Sequence, residues 1–120
     1  MASSLRKEAV GYHKVATGGY HRPEKFNAET LFHLTALAIE GYLIAWLEDR
    51  NQVPGHHGFR DLVKAIEGVT PLPGDLKKEI LILDQYQKLC EWIPIEPRKP
   101  VREEIPGLLD LAGRVELFTA

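Results

Sequence analysis

The stretch that decides the fold runs from Phe26 to His57 and reads FNAETLFHLTALAIEGYLIAWLEDRNQVPGHH. It opens with Asn27, a residue type that favours the N-cap of a helix, and it closes in a turn rich in proline, glycine and histidine. Between these signals, apolar residues fall on almost every side of one long predicted helix, which ends at Asp49 or Arg50. Because a helix that is apolar all round must be covered all round, the stretch predicts the central helix of an all-α bundle.

Four further helical segments accompany this helix, and no stretch predicts a β-strand. Their apolar periodicity places them at residues 4–17, 59–68, 75–92 and 102–118. Ser4 and Asp75 are the expected N-caps, and Pro106 fits a first helical turn, where a missing N–H costs little. Residues 93–100 contain three prolines and predict an extended crossover. The pattern predicts one domain, an up-and-down helical bundle of four main helices plus one short helix, over residues 1–120. The alternative is an irregular all-helical domain.

Composition limits the classes of function. The formal net charge of −2 means that nothing in the overall composition favours binding to nucleic acid, and DNA binding is not expected. The single cysteine, Cys90, cannot form an internal disulfide, and no secretory signal is visible, so a cytoplasmic location is expected. The most apolar run, residues 31–47, is shorter than the about 20 residues of a membrane span and contains polar residues, so no membrane insertion is expected.

A line of polar residues interrupts the apolar helix. Glu29, His33 and Glu40 fall on one side at 100° per residue. A buried carboxylate is costly unless it is paired, so Glu40 is expected to find a donor. The predicted donors follow in the sequence: His56 and His57 in the turn, or Arg60 in the next helix. A structural alternative is that Glu40 holds the short helix or a second subunit in place by a hydrogen bond.

No pattern of metal ligands or catalytic residues is present in the sequence. Glu29 and His33 are four residues apart, which is not the Glu-x-x-His spacing of di-iron bundles, and neither His-Glu-x-x-His nor Cys-x-x-Cys occurs. We therefore assign no metal, cofactor or catalytic residue. Tyr42 and Trp46 are expected in the core or in a dimer interface, and Cys90 is expected to be a structural thiol.

Three groups of residues resemble a known family, the HEPN domains (higher-eukaryote and prokaryote nucleotide-binding). The first is the helix Thr30-Leu31-Phe32-x-x-x-Ala36-Leu37-Ala38-x-Glu40-x-Tyr42-Leu43-x-Ala45. The others are the turn Pro54-Gly55-His56-His57 with the following Asp61-Leu62-Val63, and the later Leu83-x-x-Tyr86. The resemblance covers about residues 26–92. After Tyr86, the family's Arg-Tyr-Pro ending is replaced by Cys90-Glu91-Trp92-Ile93-Pro94.

The resemblance implies a four- to five-helix bundle that is commonly a homodimer. Some HEPN domains work beside a minimal nucleotidyltransferase as its substrate-binding or antitoxin-like partner. Others are ribonucleases with an Arg-x(4–6)-His motif on a late helix at the dimer cleft. The only fit here is Arg50 with His56, in the turn after the second helix. The favoured reading is therefore a binding or partner module, whose ligand is a nucleotide, RNA or a small nucleotidyltransferase.

In this reading the ligand-binding residues form one set, in which cationic side chains meet a phosphate near the acid and the histidines of the turn. The set is Arg50, Arg60, Lys64, Glu40, His56 and His57. A toxin-like ribonuclease using Arg50 and His56 is one alternative, and a purely structural dimeric scaffold is another. A paired, inward-facing Arg50 and His56 would favour the enzyme. An exposed Arg50 would favour the binding module, and a sealed core without any cleft would favour the scaffold.

Overall fold

The computed structural model describes residues 4–86 and 99–120. Over these ranges the chain is a compact all-α globule of five helices without a strand, which confirms the prediction of an all-α fold. The helices are α1 (Ser4–Gly19), α2 (Ala28–Glu48), α3 (Phe59–Glu67), α4 (Gly74–Ile82) and α5 (Ile105–Phe118). Two short 3₁₀ turns, Leu83–Tyr86 and Arg102–Glu104, follow α4 and precede α5.

Helix α2 begins where the sequence predicts. The side chain of Asn27 accepts a hydrogen bond from the backbone N–H of Thr30 at 2.8 Å, which satisfies one of the free donors of the first turn. The helix then packs against α1, α5 and α3, and Leu31, Ile39 and Leu47 are fully buried. It is the central helix of the fold.

Helix α2 is long and apolar enough to cross a membrane by length and composition alone. The sequence argument that the run is too short is therefore wrong, because the helix has 21 residues and extends beyond the apolar run at both ends. Sixty-seven per cent of its most apolar window is buried inside the fold. Packing in the core accounts for its apolar composition.

Helices α1 and α2 form an antiparallel hairpin with close backbone contact. Near the loop, a Cβ on Gly19 would lie 3.1 Å from Leu31, and further along, a Cβ on Gly41 would lie 2.9 Å from the Cβ of Ala9. At the second site, the two backbones can come this close because a glycine on α2 lies opposite an alanine on α1. The predicted stripe on α1 is confirmed at Ala9 and Ala16, which are fully buried, whereas Tyr12 is exposed.

Helices α3 and α4 form a short pair. The predicted apolar face of α3 is confirmed, because Phe59, Leu62, Val63 and Ile66 are all buried. Helix α4 differs from the prediction at both ends. Pro73 occupies the N-cap position, so Asp75 lies within the first turn, and the helix stops at Ile82, where the chain tightens into a 3₁₀ turn. The remainder of the predicted helix, with Cys90 and Trp92, and most of the predicted crossover lie outside the described residues.

Helix α5 closes the core. Pro106 lies in its first turn as predicted, and Ile105, Leu111 and Val115 are buried. The guanidinium of Arg6 donates to the backbone oxygen of Thr119 at 3.1 Å and to that of Glu116 at 3.4 Å, which ties the start of α1 to the end of α5. These bonds satisfy carbonyls that a helix C-terminus leaves free.

Candidate functional site

The predicted polar line lies on a side of α2 that the other described helices leave exposed. Glu29 and His33 are exposed, Glu40 is half-buried, and between them Leu37 is 44% exposed. We call these four residues the α2 stripe. Within residues 4–86 and 99–120, the expectation that α2 is covered on every side is not met along this stripe, because its side chains stay exposed or half-buried.

Glu40 lies in a shallow cavity of about 150 Å³ between α1 and α2, beside Ala9, Tyr12 and Ile44. Burial raises the pKa of its carboxyl group, and the charge of His57 lowers that pKa in part. Within residues 4–86 and 99–120, Glu40 forms no hydrogen bond or ion pair. Of the three predicted partners, His57 alone affects the pKa of Glu40, and it does so through its charge and without a direct contact.

The other predicted ligand-binding residues lie on the surface. His56, His57, Arg60 and Lys64 are all exposed. Arg60 and Lys64 are one helical turn apart in α3, opposite its buried face, and neither forms an ion pair within the part of the chain that the structure describes. The turn and α3 thus present an exposed cationic face.

Arg50 is separated from this face by its own contacts. Its guanidinium donates to the backbone oxygen of Trp46 at 2.9 Å and lies 3.7 Å from the centre of the Trp46 ring. This cation–π contact holds the arginine on the last turn of α2. Arg50 and His56 are both exposed, and no hydrogen bond joins them in the described structure. Trp46 itself is buried against Phe118, with ring centres 6.3 Å apart.

A second polar cluster, which the sequence analysis missed, joins α1, α2 and α5. The hydroxyl of Tyr42, a fully buried residue, lies 3.0 Å from Nδ1 of His13. The carboxylate of Glu116 lies 3.7 Å from the same nitrogen and within hydrogen-bonding reach of the phenol. Burial, reinforced by Glu116, raises the pKa of Tyr42 to about 12, so the phenol stays a neutral donor.

One signal in the sequence could have indicated this cluster. His13 falls on the same side of α1 as Ala9 and Ala16, the fully buried residues of the predicted stripe. A histidine on a buried stripe needs a polar partner. The partner could not be named from the sequence, because Tyr42 and Glu116 belong to other helices.

A buried acid lies in the 3₁₀ turn after α4. Asp84 is 7% exposed, and its Oδ1 atom has no hydrogen-bond partner among the described residues. Burial raises the pKa of this carboxyl group, while the backbone N–H groups of Phe59 and Arg60, at the start of α3, lower it in part. Asp84 thus faces the positive end of α3.

Comparison with known proteins adds no assignment: no family model, no curated protein and no solved structure matches this chain. Among the described residues, no group of three or more histidine, cysteine, aspartate or glutamate side chains is arranged to hold a metal ion. Any assignment of function therefore depends on the geometry described above.

Proposed function

We propose that this chain is a non-catalytic binding and partner module, built on a HEPN-like up-and-down bundle and acting as a homodimer. The observation that carries the proposal is the open α2 stripe. It places an exposed Leu37 next to a half-buried acid on the central helix, where a monomer would be expected to bury apolar area.

The stripe is complementary to a second copy of itself. His33 and Glu40 flank Leu37 about one helical turn away on either side. When two α2 helices pack antiparallel with Leu37 on the two-fold axis, His33 of each copy meets Glu40 of the other. Tyr12, which is 36% exposed and lies beside the same cavity, adds apolar area. Such a self-complementary patch is the requirement for a two-fold interface.

The ligand side of the module is the exposed cationic face. Arg60 and Lys64, with His56 and His57 in the preceding turn, offer donors without ion-pair partners among the described residues. Phosphate oxygens of a nucleotide or of RNA match this chemistry, and so does an acidic surface on a small nucleotidyltransferase. In the dimer, Glu40 is occupied by His33 of the other copy, while the charge of His57 acts on the same carboxyl group.

Two observations favour a module over the alternatives. First, the guanidinium of Arg50 is bound to Trp46. In a ribonuclease of this type, the same guanidinium would instead bind a phosphate beside His56. The two cavities beside α2 favour a binding protein over a purely structural scaffold, which would be sealed.

The proposal predicts that Leu37→Glu converts a dimer into a monomer. Placing two carboxylates at the two-fold axis opposes association. The measurement is molar mass by sedimentation equilibrium or by light scattering after gel filtration. Leu117→Glu is the matched control, because Leu117 is 77% exposed on α5 and lies off the stripe; this variant should remain dimeric.

Circular dichroism of both variants checks that the helices are retained. The dimer proposal would be overturned if the wild-type protein were monomeric at tens of micromolar. It would also be overturned if the Leu117 variant dissociated as readily as the Leu37 variant.

A further inference from the structure

The polar cluster of His13, Tyr42 and Glu116 borders a cavity that neither the dimer stripe nor the cationic face uses. The cavity has a volume of about 330 Å³ and lies between α1, α2 and α5. Its lining is completed by Val10, Lys14 and Thr17. The volume lies at the lower end of the range for small-molecule sites, roughly 300–1,000 Å³, and suits a ligand of amino-acid size.

The imidazole of His13 is held so that one nitrogen is left for a ligand. Its Nδ1 atom is occupied by Tyr42, and the side chain is only 17% exposed. In the described structure its Nε2 atom has no hydrogen-bond partner. When Tyr42 donates to Nδ1, or when the imidazole is protonated, Nε2 carries a proton and is a donor; when Nδ1 carries the only ring proton and donates to Tyr42, Nε2 is an acceptor. A carboxylate at Nε2 selects the forms in which this nitrogen is a donor.

The cavity also contains opposite charges that are not paired with each other. Lys14 on α1 and Glu116 on α5 both line it, and no ion pair joins them in the described residues. Arg6, the other nearby cation, is occupied by the last carbonyls of α5. A ligand that carries both a carboxylate and an ammonium group would satisfy both ends. The carboxylate of Glu116 already approaches His13 and Tyr42, but it has further acceptor positions that an anion alone would leave unused, and a cation alone would leave Lys14 unmatched.

We propose that this cavity binds a free α-amino acid with an apolar side chain. The carboxylate of the ligand meets Lys14 and Nε2 of His13, and its ammonium group meets Glu116. The side chain of the ligand lies against Val10. The site is independent of the proposed dimer interface, so either proposal can fail without the other.

The test uses the full-length protein and three probes that differ in one charge each: L-phenylalanine, 3-phenylpropanoate and phenethylamine. Binding is followed through the imidazole proton resonances of His13 by NMR, assigned with the variant His13→Asn. L-Phenylalanine should give a saturable shift. The two truncated probes, each lacking one charge-assisted contact, should bind roughly tenfold more weakly or worse.

The variant Lys14→Gln should weaken L-phenylalanine binding roughly tenfold, and Lys7→Gln, which makes the same charge change on the same helix outside the cavity, should not. Both lysines are exposed, so neither variant is expected to disturb folding. The proposal would be overturned by the absence of a saturable shift with L-phenylalanine, by equal binding of either truncated probe, or by equal effects of the two lysine variants.

Discussion

Tyr42 shows how one residue can serve both the core and a polar cluster. Its ring is fully buried beneath α1 and α5, and its hydroxyl meets His13. The guanidinium carbon of Arg6 lies 5.4 Å from the ring centre. A buried hydroxyl is costly without a partner, so the His13 contact is what allows a tyrosine rather than a phenylalanine at this position.

Replacing Tyr42 by phenylalanine tests this role. The change keeps the ring but removes the hydroxyl 3.0 Å from Nδ1 of the half-buried His13, and it leaves Glu116, at 3.7 Å, beside that nitrogen. We expect Tyr42→Phe to lower the free energy of unfolding by about 1–2 kcal/mol, measured by urea denaturation. Tyr12→Phe is the matched control, since Tyr12 is 36% exposed, and it should change stability by less than about 0.5 kcal/mol. A Tyr42→Phe variant as stable as wild type would contradict the assigned bond.

At the scale of single residues, the sequence predicted only what one helix encodes. The line of Glu29, His33 and Glu40 follows from helical geometry, and the structure places it on one face. Whether that face is buried could not be predicted, because an acid on an apolar helix marks either a buried partner or an open side. The Tyr42 cluster stayed hidden because its members come from three helices.

At the scale of elements, the α1–α2 crossing depends on a glycine. A Cβ added to Gly41 would lie only 2.9 Å from the Cβ of Ala9. That distance is shorter than van der Waals contact between carbons, about 3.5–4.0 Å. Because both atoms are close to the backbone, a larger residue at position 41 would have to push the two helices apart.

Gly41→Ala should therefore destabilise the protein, although alanine is the better helix former. We expect a loss of about 1–3 kcal/mol in the free energy of unfolding. The control is Gly11→Ala on α1, where an added Cβ meets nothing within 4 Å; it should raise stability by about 0.5–1 kcal/mol. Thermal or urea unfolding of both variants measures the difference, and two changes of the same sign would refute the close-contact explanation.

Element ends were predictable where a local signal sets them. The side-chain cap at Asn27, and Pro106 in a first turn, are encoded within a few residues, and both were predicted correctly. The end of α4 at Ile82 was missed. The residues that follow it pack against α3, with Asp84 facing the start of that helix, and periodicity within one helix carries no information about such a contact.

At the scale of the whole molecule, two carboxyl groups make the free energy of unfolding depend on pH in opposite directions. Burial raises the pKa of Asp84, whereas hydrogen bonding to Arg114 lowers the pKa of Glu79. A raised folded-state pKa stabilises the fold below the unfolded value, 3.8 for aspartate, and this contribution is lost as pH rises through the folded value. A lowered pKa acts in the opposite direction: its contribution is present above the unfolded value of 4.5 and is lost as pH falls.

Asp84→Asn should therefore gain stability relative to wild type as pH rises from about 3.5 to 7, because the buried charge of the wild-type protein forms over that range. Glu79→Gln should lose stability relative to wild type over the same range. Free energies of unfolding from urea titrations at several pH values measure both slopes. Parallel curves for Asp84→Asn and wild type would show that Asp84 does not titrate differently in the fold.

The five helices and their buried faces could be predicted because each face repeats within its own segment. Val63 and Ile66 on α3, and Val115 on α5, are buried as their spacing indicates. The arrangement of the helices is set by contacts between segments distant in sequence, such as Arg6 with Thr119. The cavity beside His13 is formed by three helices, so no single stretch of the sequence predicts it.

The order of α1 and α2 along the chain matters for how the protein is made. Helix α1 leaves the ribosome before α2. The hydrophobic helix α2 can therefore pack against α1, the helix with which it shares the largest contact, as soon as it is synthesised. The sides that α3 and α5 cover must wait until those helices emerge. A hairpin that forms early covers one side of a segment that could otherwise be mistaken for a membrane anchor, and it shortens the time over which that side is open to aggregation.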